Sequence, residues 1–118
     1  MNIMSRITIV FFLLFSCFSI QAQKKEYKSA VIAFYNLENL YDTVNNTMTN
    51  DEEFLPQGDR NYGTAIYLNK LTKLSTVISQ IGTELNPDGP ALLGVAEVEN
   101  DTVLNDLVKQ PAIAKRNY

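Results

Sequence analysis

Two short, uninterrupted apolar runs, residues 30–35 (AVIAFY) and 91–96 (ALLGVA), flank one long amphipathic segment. Six apolar residues bounded by polar ones suit a strand buried on both faces better than a helix. Between the runs, residues from about 64 to 81 place Leu68, Leu71, Leu74, Val77, Ile78 and Ile81 at the spacing of one buried helical face. Lys70, Lys73, Thr76 and Gln80 lie largely off that stripe. Thr64 can cap the start of this helix, and Gly82 can supply a left-handed residue just past its end. Residues 86–90 (NPDGP) then break the chain before the second run.

After the second run, Asn100 or Asp101 is placed to cap a short helix over about 102–109, with Val103, Leu104, Leu107 and Val108 inward and Pro111 beyond its end. Residues 37–41 (LENLY) suit a short helical turn, and residues 42–51, dense in Asn and Thr, read as a surface loop. The expected order is strand, long loop, helix, strand, helix, an α/β arrangement. If its two strands are parallel, the unit crosses over right-handed and both strands end at one edge. Asn36 then lies near Glu97 at the edge where open α/β sheets place ligands.

The rest of the composition narrows the chemistry. The 118 residues contain no His and a single Cys, which excludes Ser-His-Asp and Cys-His catalysis, any His-containing metal site, an intrachain disulfide and a Cys-cluster zinc site within this chain. A formal charge of −3 argues against a purely electrostatic nucleic-acid binder.

Residues 1–22 read as an export signal. Arg6 supplies the positive region, residues 7–15 (ITIVFFLLF) the apolar core, and Ala22 a small residue for cleavage before Gln23. A membrane span needs about 20 residues, more than the stretch 7–20 provides. Lipoprotein processing at Cys17 is the minor alternative, because the residues after it remain mostly apolar. Cleavage leaves a polar lead-in, 23–29, and a domain over 30–118. It predicts a periplasmic or extracellular protein with no membrane attachment and no stable protein partner.

Glu97 is the most informative residue, because an apolar strand delivers its carboxylate to the sheet rim. Read from residue type alone, a solvent-facing Glu and a metal ligand are equally good accounts. Glu99 shares its strand parity and can instead accept at the N-terminus of the following helix. Asn36 can orient a phosphate oxygen or a carboxylate, or simply begin a turn. Glu38, two residues on, can reach the same edge.

The segment 30–40 (AVIAFYNLENL) resembles the first strand motif of the endonuclease/exonuclease/phosphatase superfamily, the DNase I-like fold. Residues 90–100 (PALLGVAEVEN) resemble its second motif, in which a strand ends in a metal-binding Glu. Residues 54–58 (FLPQG) and the helix around Lys70 and Leu71 look like an exported bacterial branch.

By that resemblance Glu97 is the carboxylate for a divalent metal, Mg²⁺ with Mn²⁺ or Ca²⁺ as alternatives. Glu38 is an acidic residue beside the metal, and Asn36 is the catalytic-site Asn that positions the phosphate. The resemblance implies the N-terminal part of a four-layer α/β sandwich and metal-assisted hydrolysis of a phosphoester. A nuclease acting on DNA or RNA leads the candidates; sugar phosphates and phospholipid headgroups also fit. Ala96 stands where many members carry Gln, and the family's later Asp/Asn pair and two His have no counterpart here. The expectation is therefore a portion of a domain more than twice as long as residues 23–118. A secreted, non-catalytic α/β binding module is the competing reading.

Overall fold

The computed structural model describes residues 2–4 and 26–118. The rest of the leader, with Arg6, Cys17 and the Ala22–Gln23 junction, lies outside the described residues. In chain order the elements are β1 (Val31–Leu40), a 3-10 turn (Glu52–Phe54), α1 (Thr64–Ile78), β2 (Pro90–Val98), α2 (Asp101–Val108) and a second 3-10 turn (Ala114–Arg116).

β1 and β2 pair in parallel, with Ile32 beside Leu92, Phe34 beside Gly94 and Asn36 beside Ala96. The two strand ends therefore share an edge. Alternation along both strands sends Tyr35, Leu93 and Val95 onto the core formed with α1 and α2. The opposite face carries Ile32, Phe34 and Leu92, which remain 75%, 72% and 61% exposed. A strand buried on both faces was the expectation; the described elements cover one face only.

The segment 37–41 is not a helical turn. β1 runs on through Leu40, whose register partner is Val98. Leu37 and Leu40 are both fully buried, and that burial draws the strand across the irregularity.

α1 buries Tyr67, Leu71, Leu74, Ser75 and Ile78, whereas Leu68 and Val77 stay exposed. The buried stripe is rotated towards Tyr67 because its hydroxyl donates to Asp106 Oδ2 of α2 at 2.9 Å while its ring fills the core. An apolar residue at 68 offers no such polar link. Gly63, not Thr64, is the N-cap; its carbonyl accepts from Ile66 and Tyr67 N–H. Past the helix, Gly82 takes φ +68°, and a Cβ there would fall 2.6 Å from Val31 Cγ1. The Arg116 guanidinium donates to the last carbonyl of α1, Ile78 at 3.0 Å, and to that of its C-cap, Ser79 at 2.7 Å.

α2 starts as expected, with Asn100 Oδ1 accepting from Val103 N–H at 3.1 Å. Val103 and Leu107 are buried. The loop between β1 and α1 is packed more tightly than its polar composition suggests. Tyr41 stacks on Phe54 at 4.3 Å, Tyr62 meets Phe54 edge-on at 5.8 Å, and Arg60 sits 4.7 Å above the Phe54 ring. Asp51 is buried and accepts from Asn46 N–H at 2.9 Å.

Candidate functional site

At the shared edge, pairing breaks after Asn36–Ala96 and resumes at Leu40–Val98. Three residues of β1, Leu37, Glu38 and Asn39, therefore stand opposite one residue of β2, Glu97. Such bulges re-aim side chains at sheet rims. Glu38, Asn39 and Glu97 all adopt left-handed backbone, with φ of 52°, 59° and 55°. Asn tolerates this region, but for a Glu it costs about 1–2 kcal/mol. Two glutamates held this way at one rim form a local concentration of strain, of the kind found at functional sites.

The strain accompanies a specific contact. Asn36 Nδ2 donates to Glu97 Oε1 at 2.7 Å, and Asn36 Oδ1 accepts from Glu38 N–H at 2.7 Å. Both ends of the amide are used, which fixes its orientation. Of the three tasks open to Asn36, the geometry shows two: its Nδ2 orients a carboxylate, and its Oδ1 accepts from the N–H two residues on, the contact that starts a turn. Glu97 itself is exposed, and its second oxygen has no hydrogen bond among the described residues. Glu38 is exposed as well; its carboxylate makes no hydrogen bond among the described residues, whereas its backbone N–H and carbonyl are both engaged.

The carbonyl partner is Lys70, from the first half of α1. Its ammonium donates to the carbonyls of Glu38 and of Asn39, the latter at 2.8 Å. Burial lowers the Lys70 pKa, Glu38 opposes that shift, Arg60 adds to it, and Glu97 opposes it. The site thus places one cation within electrostatic reach of both predicted carboxylates. The helical stripe in the sequence places Lys70 largely off the buried face. Its spacing from Tyr67 and Leu71 puts it at the border of the true buried face, a signal visible only once the stripe is centred on Tyr67.

Glu99 does not serve the N-terminus of α2, where Asn100 is the cap. Its Oε2 accepts from Asp42 N–H at 3.0 Å, and its own N–H donates to Leu40 O at 3.1 Å. It ties the chain leaving β1 to the chain leaving β2. Burial raises its pKa, offset in part by the Asp42 N–H, and its Oε1 is buried with no partner among the described residues.

The donor set at Glu97 suits a hard cation. One carboxylate oxygen is oriented by Asn36 and the other is open to solvent, while Mg²⁺ takes one or two protein carboxylates and keeps several waters. Among the described residues no three His, Cys, Asp or Glu side chains converge as a closed metal cage. A cation here would be held largely by water and substrate oxygens.

No curated protein and no solved structure matches the chain. Residues 31–118, from the first residue of β1 through α2 to Tyr118, match the sequence profile described as Endonuclease/Exonuclease/phosphatase family. That span contains both strands, the bulge and every residue of the rim, and the chain belongs to the endonuclease/exonuclease/phosphatase family.

Proposed function

We propose that the protein is an exported, divalent-metal-dependent phosphoester hydrolase of the nuclease type, and that residues 31–118 supply the metal-holding part of its site. The observation that carries this reading is the 2.7 Å bond from Asn36 to Glu97 across two parallel strand ends, kept at the expense of left-handed backbone at Glu38 and Glu97. Family membership supports phosphoester hydrolysis as the reaction class.

In this reading Glu97 is the metal carboxylate, and Glu38 is a second acidic group beside it. Asn36 holds Glu97 in place, and its remaining amide proton is available to a phosphate oxygen. A bound Mg²⁺ would stabilise charge on the phosphate and the leaving oxygen. Mn²⁺ or Ca²⁺ would occupy the same oxygen donors. The Asp–His pair that activates water in the family has no counterpart among these residues, since the sequence contains no His. The reading therefore assigns water activation to residues outside this sequence. It also places β1 and β2 in a four-layer α/β sandwich, which is consistent with the exposed Ile32, Phe34 and Leu92 face.

The test is Mg²⁺-dependent hydrolysis of a phosphodiester by the enzyme that carries this segment together with the family's histidines. Glu97→Gln keeps the shape and removes the charge, and loss of several kcal/mol of metal stabilisation lowers turnover roughly 10²–10⁴-fold. Turnover within a factor of two or so of the parent enzyme would refute the assignment. For export, the intact mass of secreted material is expected to begin at Gln23; a mass retaining Met1, or a lipid adduct on Cys17, would refute it.

A further inference from the structure

We propose that Lys70 is a positioning residue: it pins the left-handed bulge of β1 so that Asn36 is held against Glu97. The importance of that grip for metal binding rests on the hydrolase reading above; the grip itself does not. The connection is continuous in hydrogen bonds. Lys70 Nζ binds the carbonyls of Glu38 and Asn39, Glu38 N–H binds Asn36 Oδ1, and Asn36 Nδ2 binds Glu97 Oε1.

The bulge needs such a partner. Its three residues face one residue of β2, so their carbonyls cannot all join the sheet ladder. Glu38 is also strained at φ 52° and relaxes if nothing holds its carbonyl. A lysine suits the task, because a compact ammonium directs separate N–H groups at two adjacent carbonyls. A planar guanidinium fork suits a carboxylate or phosphate better. The helix supplies rigidity: Lys70 lies between Tyr67 and Leu71, both buried, and its ammonium is 6.0 Å from the Tyr62 ring centroid. Lys73, one turn further along α1, is exposed and makes no hydrogen bond to the bulge among the described residues.

The experiment follows the Asn36 side-chain amide by ¹⁵N–¹H NMR in the full chain, comparing the parent protein, Lys70→Met and the control Lys73→Met. Lys70→Met is expected to move the Asn36 amide protons towards the position of a free side chain and to speed their exchange with water. The backbone amides of Leu71 and Leu74 should stay in place, and Lys73→Met should match the parent. An unchanged Asn36 signal in Lys70→Met would overturn the proposal. So would loss of α1 altogether, since a local clamp leaves the Tyr67, Leu71, Leu74 and Ile78 packing intact.

Adding Mn²⁺ to the same samples separates the two readings. Line broadening centred on Glu97 reports the metal site, independently of the outcome for Asn36. Absence of broadening in the parent protein counts against the metal assignment and leaves the Asn36 shift to decide on Lys70. Equal broadening in both proteins with an unmoved Asn36 signal refutes the positioning role while sparing the metal site.

Discussion

Replacing Glu97 by Gly and by Ala separates the backbone of the site from its chemistry. Both substitutions remove the carboxylate and the bond from Asn36, so under the hydrolase proposal both abolish metal binding. They differ in what φ 55° costs them. A residue with a Cβ pays about 1–2 kcal/mol in the left-handed region, and glycine pays nothing there. Glycine gives back about 0.4–1 kcal/mol through the greater freedom of its unfolded chain. The balance favours Glu97→Gly over Glu97→Ala by about 0.5–1 kcal/mol. In an ordinary strand the sign is opposite, with Gly about 0.5–1 kcal/mol worse than Ala. The assay is urea denaturation of both variants, with the comparison read from the midpoints at equal slope. For a domain of this size, 1 kcal/mol corresponds to about 4–8 °C in Tm. An Ala variant as stable as the Gly variant, or more so, would refute the left-handed rim and with it the strain argument.

Glu99→Gln tests the link between the two strand exits. Burial raises the Glu99 pKa above its ordinary 4.5, so its contribution to stability is complete below about pH 4.5 and is lost as pH rises through the raised value. Gln keeps an acceptor for Asp42 N–H without titrating; its stability relative to the parent should therefore improve as pH rises from about 4.5 through the raised value, and a flat difference across that rise would contradict the assignment. In the hydrolase assay Glu99→Gln should cost far less turnover than Glu97→Gln. Asn100→Ala removes the acceptor for Val103 N–H and should destabilise the protein by about 1 kcal/mol in chemical denaturation; no measurable change would show that α2 does not depend on this cap.

The sequence by itself determined the order of elements, narrowed the cap on α2 to Asn100 or Asp101 and, given parallel strands, put Asn36 and Glu97 at one edge. Each of these depends on local pattern: two apolar runs of strand length, a helix long enough to return the chain, and an Asn three residues ahead of Val103. Parallel strands then have their C-terminal ends together whatever the details of packing. The family resemblance was legible for the same reason, since its motifs are the strand ends themselves.

Only the tertiary structure decided what happens within those few residues. Residues 37–41 suit a helical turn in isolation, but burial of both Leu37 and Leu40 carries β1 onward and forces Glu38 and Asn39 into the left-handed region. The face of α1 turned towards Tyr67 because of a hydroxyl partner on α2, and that rotation put Lys70 beside the bulge. Glu99 was drawn to Asp42 because Asn100 already occupied the start of α2. In each case the outcome hung on a partner thirty or more residues away, and local propensity holds no information about such a partner.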